Sequence, residues 1–369
     1  MSFQRPVNGS AGPAPAQRLG RSVTPFSSVP EAETPKSWSR IVARYRHPRP
    51  LRSVIEIAIT AAPLALLWTA GSLALAFGQW WAILVCVPGA AFVLRLFVIQ
   101  HDCGHGSLFR GAAANDWVGR VIGLITLTPY GHWRETHGVH HATSGNLDRR
   151  GLGAVDMLTV EEYAALPPWR RGLYRAYRHP LVLFGVGPAY LFFLQQRLPI
   201  GLMRGGAGVW LGVMGANLGI AAFIAGGVWL FGLVPFLGIY IPTMALAATA
   251  GVWLFYVQHQ FEHTSWVRQG QWNPHEAALH GSSHYDLPPV LRWFTANIGV
   301  HHVHHLNSRI PFYRLDEVLR DFPQLRDIGR MTLAQSLRAA PLALWDARAN
   351  RLVSFKQARR VPQADTVVG

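Results

Sequence analysis

Charged residues are scarce in this chain of 369 residues. Only 14% of the residues are charged, half are hydrophobic, and the mean hydropathy is positive at +0.16. Two long runs, 57–94 and 205–261, contain no Asp, Glu, Lys or Arg. This composition excludes an ordinary soluble globular domain and indicates an integral membrane protein.

Cysteine is almost absent as well. Cys86 lies in an apolar run and Cys103 lies between two histidines, so neither a disulfide framework nor a four-cysteine metal cluster is expected. The chain also lacks a glycine-rich dinucleotide motif and room for a haem domain, so it carries no reductase of its own. Its first residues are polar and rich in Pro, Ser and Gly, so no secretory signal peptide is expected.

The same composition divides the chain into three parts. Residues 1–36 contain few large apolar side chains and are predicted to be a disordered tail. Residues 37–330 are predicted to form one membrane domain, and 331–369 a cytosolic C-terminal tail.

Each charge-free run is too long for a single helix, because about 20 residues cross about 30 Å of hydrocarbon. Glycine, proline and tryptophan interrupt the runs in "AFGQWW" and "FGLVPF". We therefore predict an all-α integral membrane fold with four transmembrane helices in two hairpins, at about 54–77, 80–100, 208–231 and 233–257. The stretch 182–194 is apolar but short and contains Pro188, so it is predicted to be an interfacial or re-entrant segment rather than a full crossing.

Two hairpins leave both termini and the long middle segment on one side of the membrane. The turns carry no charge, whereas the N-terminal flank and the middle segment are rich in arginine. The positive-inside rule places these segments in the cytoplasm. It also explains the formal net charge of +15 without a nucleic-acid partner. The arginines concerned are Arg40, Arg44, Arg46, Arg49 and Arg52 in the flank, and Arg149, Arg150, Arg170, Arg171, Arg175 and Arg178 in the middle segment.

Histidines form three clusters on this same side, in "HDCGH", "ETHGVHH" and "GVHHVHH". Their spacings of i, i+4 and i, i+3, i+4 place the rings of each cluster on one helix face. His302 points about 100° away from His301 and fits that face less well. Eight imidazoles exceed the four to six positions of one first-row ion, so a di-metal site is predicted. The eight are His101, His105, His137, His140, His141, His301, His304 and His305.

These boxes, together with "QHQFEH" and "NIGVHHVHHLNSRIPFYRL", resemble those of the membrane fatty acid desaturases, the histidine-box superfamily. Within it, the chain is most similar to bacterial acyl-lipid desaturases of the Δ12 type, from about residue 50 to 330. The resemblance implies a cytosolic helical cap with a centre of two iron ions (Fe²⁺/Fe³⁺) held by the eight histidines, and a bacterial inner membrane location. It also implies a further ligand near the end of the fourth span. His263 is favoured there as the direct ligand, with His259 as a ligand or the holder of a bound water.

Polar residues beside these ligands are candidates to orient them, because metal-bound histidines usually donate their other N–H to a carboxylate or carbonyl. These candidates are Asp102, Glu135, Glu262 and Asn297. Four other histidines match no box and are expected to be surface, supporting or substrate-facing residues: His132, His275, His280 and His284.

The resemblance implies O₂-dependent desaturation, with a cis double bond introduced into the acyl chain of a membrane lipid, at Δ12 if the closest subtype holds. An unactivated methylene has no acidic proton, so metal–oxygen chemistry with O₂ as co-substrate is required. Two electrons must then come from a separate protein such as a ferredoxin.

Two alternatives remain at this point. The same boxes would serve a hydroxylase or ketolase acting on alkanes or carotenoids. A metal transporter is disfavoured, because the histidines cluster beyond the helix ends and the spans are expected to hold no Asp or Glu. The sequence leaves open the double-bond position, the lipid headgroup and the oligomeric state.

Overall fold

The computed structural model describes residues 34–360, so the predicted disordered tail lies almost entirely outside the described residues. The first helix, α1, spans Pro35–Val42. The side chain of Thr34 caps it by accepting a hydrogen bond from the N–H of Ser37 at 3.2 Å.

Within residues 34–360, four helices are long and apolar enough to cross a membrane. They form two hairpins, whose turns contain Gly78 and Gly232 with φ of +78° and +89°, a backbone region that favours glycine. The prediction of a mostly helical fold with four long apolar helices is confirmed. The helices are α2 (Pro50–Ala76), α3 (Cys86–His105, preceded by a 3₁₀ segment Trp80–Val85), α9 (Gly206–Phe231) and α10 (Leu233–His259).

The helix α3 lies at the centre of the four. Among the 18 most apolar consecutive residues of each span, 56% are buried in α3 with its 3₁₀ segment. The corresponding fractions are 39% in α10, 28% in α2 and 17% in α9. The helix α3 packs against α2, α10 and α4 (Ala112–Ile125). A helix buried on several sides can present histidines at its end to segments that arrive from different directions.

The expectation that the spans hold no acid is wrong for α2. Glu56 forms an ion pair with Arg95 of α3, and both side chains are almost fully buried. Arg95 also donates from Nε to Thr60 at 3.1 Å. The charge-free run begins at residue 57 and ends at 94, whereas the helices extend beyond it, and the pair sits in these extensions.

The apolar stretch 182–194 folds as a short helical segment with two π-helical turns around α8 (Gly187–Ala189). Its side chains Val186, Tyr190 and Leu194 are exposed. The remaining helices are short and carry the cap: α5 (Tyr130–Thr143), α6 (Val160–Ala164), α7 (Pro168–Tyr177), α11 (Pro274–His280), α12 (Pro289–Phe294), α13 (His301–Leu306), α14 (Leu315–Asp321), α15 (Leu333–Ser336) and α16 (Phe355–Ala358).

Short strands complete the cap, a feature that the all-α prediction does not include. The antiparallel pair β4 (Leu342–Asp346) and β5 (Arg351–Ser354) extends to β1 (Leu158–Thr159), which runs parallel to β4. A second parallel pair joins β2 (His284–Asp286) to β3 (Arg330–Thr332). The segment that the sequence suggests is a tail therefore folds, through residue 358, against the middle segment.

Candidate metal centre

The first box lies in the last turn of α3. His101 and His105 lie one turn apart, and their Nε2 atoms are 3.3 Å from each other. Gly106 follows in the left-handed region, with φ of +65°, and ends the helix. The two rings therefore point into the cap from the end of the most buried long helix.

The second box lies on α5, which crosses the end of α3. Trp133, one turn before His137, stacks on the ring of His137 with centroids 4.7 Å apart and planes 13° from parallel. A Cβ at Gly104 of α3 would lie 2.8 Å from the Trp133 ring, so glycine is required for this approach of the two helices. Neither Gly104 nor Trp133 is among the site residues predicted from the sequence. The i−4 spacing of Trp133 from His137 is the signal that could have found the tryptophan.

The third box forms α13, whose first N–H groups are held by the carbonyl of Ser283: those of His301 and His302 lie 3.2 and 3.3 Å from it. The fourth contribution is His259, the last residue of α10. The Nε2 of His259 lies 3.0 Å from that of His140 and 2.9 Å from that of His301.

Nine histidines thus meet in two groups, in each of which the ligand atoms all lie within 4.8 Å of one another. Along the first group, successive Nε2 atoms are 3.0 to 3.3 Å apart, and along the second 2.9 to 3.1 Å. The first group is His101, His105, His137, His141 and His304, and the second is His140, His259, His301 and His305.

This spacing fits metal ligands better than hydrogen bonds. Nitrogens about 2.1 Å from one ion lie about 3.0 Å apart when their bonds meet at a right angle. A neutral ring offers either a proton or a lone pair at Nε2, so His105, which has two Nε2 neighbours, cannot satisfy both by hydrogen bonding. The two groups can therefore hold two metal ions, as the histidine spacing predicts.

Burial keeps the ligands in the form that binds metal. Loss of solvation lowers the pKa of the six cap histidines well below the ordinary 6.5, and the neighbouring imidazoles lower these pKa values further. The rings are neutral at physiological pH, and each Nε2 lone pair is available to a cation. The six are His137, His140, His141, His301, His304 and His305.

His263, favoured from the sequence as the direct ligand, lies in a different place from His259. The helix α10 ends at His259, and Gln260 leaves helical geometry with φ −114° and ψ 71°. The i, i+4 relation therefore does not continue to His263, which is exposed and lies outside both groups. His259 lies within the second group, and its Nδ1 donates to the carbonyl of Gly281 at 3.2 Å.

Of the four predicted orienting residues, the structure brings Asp102 to the site. Its carboxylate is fully buried, with one oxygen 3.6 Å from the Nδ1 of His101 and the other accepting from the N–H of Phe312 at 2.7 Å. Glu135 and Glu262 are exposed, and Glu262 pairs with Arg351 at 3.2 Å.

Asn297, the fourth of these residues, lies in a turn before α13. Its φ is +54°, and its N–H donates to the carbonyl of Arg292. His302 points away from the two groups, as its spacing predicts. Its Nε2 donates to the carbonyl of Leu325 at 2.8 Å, and burial lowers its pKa to about 3.

The other histidines without a box lie apart from the two groups. His132 contacts the carbonyl of Ile200 at 3.0 Å, and His280 lies 3.6 Å from the carboxylate of Glu276. His284 is buried beside His302, with ring centroids 5.7 Å apart, and its Nδ1 donates to the carbonyl of Arg326 at 2.6 Å.

Comparison with known proteins agrees with this geometry. A family model described as fatty acid desaturase matches residues 78–333. A fatty acid desaturase of Bacillus subtilis is 37% identical over 331 residues, which cover 90% of this chain and 94% of the relative.

Two cyanobacterial relatives are less similar. An sn-1 oleoyl-lipid 12-desaturase of Picosynechococcus sp. is 28% identical over 80% of this chain and 79% of its own. An sn-1 acyl-lipid omega-3 desaturase (ferredoxin) of Synechocystis sp. is 30% identical over 60% of this chain and 61% of its own. From the family match, the four long apolar helices and the paired histidine groups, we conclude that this chain belongs to the fatty acid desaturase family, as a membrane oxidoreductase with a histidine-rich metal site.

Proposed function

We propose that this protein introduces a cis double bond into the acyl chain of a membrane lipid, using O₂ and a centre of two iron ions. The observation that carries the proposal is the convergence of nine histidines in two groups at the ends of two membrane helices. Neutral imidazole is a good ligand for iron, and four or five nitrogens leave a six-coordinate ion at least one further position.

When bound, an iron pair supplies the oxidising chemistry that removes two hydrogens from adjacent carbons, while O₂, two external electrons and two protons become two molecules of water. The chain's own residues hold and shield this chemistry. His140 and His259 contact the ring of Phe255, with centroids 5.0 and 5.3 Å apart, and the stacked Trp133 fixes the ring of His137. The ring of Phe255 thus shields the second group from water, and the ring of Trp133 shields the first. Both rings also hold the imidazoles in their orientation.

The position of the double bond is proposed as Δ12. The support is the names of three relatives, the sn-1 oleoyl-lipid 12-desaturases, which are 27 to 29% identical to this chain. The Bacillus subtilis relative has a higher identity, but its name gives no position.

The electron donor is proposed to be a ferredoxin or a similar one-electron carrier. The name of the Synechocystis relative includes ferredoxin, and the sequence shows no reductase motif. Both termini and the histidine groups are proposed to face the cytoplasm, because the turns at the opposite end of the hairpins are uncharged.

Expression in a host rich in monounsaturated lipid, followed by gas chromatography and mass spectrometry of the fatty acids, tests the proposal. We expect dienoic chains, with the new double bond located by derivatisation. The His140→Ala variant should produce no dienoic chains. The matched His263→Ala variant should produce as many dienoic chains as the unmodified protein. Hydroxylated chains without dienes would instead establish oxygen insertion by the same site.

A further inference from the structure

A charged cavity of about 720 Å³ lies between α12, α14 and β3, and none of the nine clustered histidines lines it. This volume is within the ordinary range of small-ligand sites, about 300–1,000 Å³. Four arginines and three aspartates line it, with His284. No part of the desaturation chemistry uses these charges.

The charges are not all neutralised by one another. Arg330 pairs with Asp286 through two contacts of 2.7 and 3.0 Å, and Arg326 donates to the carbonyl of Leu319 at 2.9 Å. Arg292 and Arg320, and likewise Asp316 and Asp327, form no ion pair within residues 34–360. The cavity therefore offers cationic and anionic groups to one ligand.

The wall formed by α12 packs against α3, one of the four long apolar helices. Trp293 and Phe294 contact Phe92 of α3, with ring centroids 6.0 and 5.2 Å apart, and Arg95 lies over the Trp293 ring at 4.0 Å. Phe92 precedes His101 by nine residues, so it lies about 13 Å closer to the membrane interior along the helix.

The outer face of α12 is apolar and exposed. Val290 is 66% exposed, Leu291 41% and Trp293 36%. An apolar surface at this depth indicates a short helix inserted into the lipid, with Arg292 facing the cavity at the interface.

The opposite wall lies at the same interface. Tyr313, just before α14, accepts from the N–H of Arg49 at 2.8 Å and contacts Ser53 at 3.1 Å, at the start of α2. Glu317 of α14 pairs with Arg49 at 3.0 Å. The cavity is thus bounded by two elements that are fixed where membrane helices meet the headgroup layer.

We propose that this cavity binds the headgroup of a zwitterionic phospholipid with a primary amine, of the phosphoethanolamine type. The phosphate would face Arg292 and Arg320, and the ammonium would face Asp316 and Asp327. A purely anionic headgroup would bring no cationic group to the two aspartates, whereas the ammonium of a zwitterionic headgroup would face them. An acidic carrier protein is disfavoured because the surface is concave. The inference rests on the proposed function insofar as the occupant is the substrate lipid.

Native mass spectrometry of the full chain in detergent tests the binding directly. The probes are dioleoyl phosphatidylethanolamine, phosphatidylcholine and phosphatidylglycerol, which share acyl chains, and free phosphoethanolamine as competitor. We expect phosphatidylethanolamine to bind most tightly, because its N–H groups can donate to the aspartates whereas a quaternary amine cannot.

The variants report on each charge separately. Arg292→Gln and Arg320→Gln should each weaken phosphatidylethanolamine binding by about tenfold or more, since each removes a charge-assisted hydrogen bond to the phosphate. Asp316→Asn should weaken phosphatidylethanolamine but not phosphatidylglycerol. Arg338→Gln, an exposed arginine on α15's C-terminal side and outside the cavity, is the matched control and should change nothing.

Equal binding of the three lipids, or equal loss in the Arg338→Gln control, would overturn the proposal. So would a loss of ferredoxin binding in Arg292→Gln with lipid binding intact. If the bound lipid is the substrate, the protein should desaturate its acyl chains. The Arg320→Gln variant should then show a raised KM for this lipid and an unchanged kcat. Because binding is measured without turnover, absence of desaturase activity would count against the proposed function alone.

Discussion

Single residues decide whether each imidazole presents a lone pair to a metal. His259 donates from Nδ1 to a backbone carbonyl, which leaves its Nε2 free to bind an ion. His101 has a buried carboxylate, Asp102, 3.6 Å from its Nδ1. A small movement of either side chain would close this distance to a hydrogen bond of the kind that holds metal-bound histidines.

We expect Asp102→Asn to weaken iron binding in the first group by about 10- to 100-fold. An amide N–H facing the Nδ1 of His101 would place the ring's proton on Nε2, which is the wrong tautomer for a ligand. Iron content and competition with a chelator measure the effect. Glu135→Gln, an exposed carboxylate beside the second box, is the control, and equal iron loss in both variants would refute an orienting role for Asp102.

His259→Ala is expected to lose the iron of the second group while retaining that of the first. His263→Ala is expected to retain both, because its ring is exposed and lies outside the groups. Iron per protein and Mössbauer spectra of the purified proteins distinguish these outcomes. If His263→Ala lost iron and His259→Ala did not, His263 would be the ligand, as the resemblance favours.

The sequence names all nine clustered histidines as candidates. Spacing of i, i+3 and i+4, which fixes a helix face wherever a helix forms, gives eight of them, and the resemblance adds His259 beside His263. It favours His263 over His259, whereas His259 is the one that lies in the second group, because "QHQFEH" contains no glycine or proline to mark a helix end. That end is set by tertiary contacts, including the carbonyl of Gly281 that holds His259.

At the scale of elements, the site depends on how closely α5 approaches α3. The approach is possible because residue 104 has no side chain, so the Trp133 ring lies against the α3 backbone and under His137. A glycine inside a helix lowers the free energy of unfolding by about 0.5–1 kcal/mol relative to alanine. At residue 104 the close packing of α5 against α3 offsets this loss.

Gly104→Ala should therefore displace Trp133, tilt His137 and lower both iron occupancy and activity. Gly138→Ala is the matched control, since Gly138 lies in α5 and a methyl group there would meet no neighbouring atom within 4 Å. That substitution should leave the site intact and raise the thermal unfolding temperature slightly through higher helix propensity. Unchanged iron content in Gly104→Ala would show that the ring of His137 is positioned without Trp133.

The buried pair between α2 and α3 is a second determinant at this scale. Among residues 34–360, Arg95→Met leaves Glu56 with the half-exposed Arg52 as its ion-pair partner, at 2.6 Å. Breaking a buried ion pair costs about 3–5 kcal/mol, so a marked drop in thermal unfolding temperature in detergent is expected. The double variant with Glu56→Gln should recover part of this loss, and Arg52→Met should have little effect. An unfolding temperature equal to that of the unmodified protein would contradict the pair's structural role.

The four long helices can be predicted from the absence of charge over long runs. The ends of these helices and the short strands cannot be predicted in this way. The strands contain only two to five residues, too few for an alternating pattern to emerge. All five residues of β4 are buried, so this strand has no polar face that a period of two could reveal.

At the scale of the whole molecule, the two hairpins separate an uncharged surface from the histidine-bearing cap. The native thiols Cys86 and Cys103 are both buried, so introduced cysteines can be labelled against a low background. We expect Gln79→Cys, in the turn between α2 and α3, to react with a membrane-impermeant maleimide in intact cells. Arg338→Cys, in the cap, should react only after permeabilisation, and the reverse pattern would invert the proposed orientation.

Both metal groups take members from α13, since His304 belongs to the first group and His301 and His305 belong to the second. A nascent polypeptide consequently has no complete histidine group until residue 304 has left the ribosome and α13 has docked on the membrane helices. Metal loading is then a late step of biogenesis, and detachment of this one six-residue helix would release both ions together.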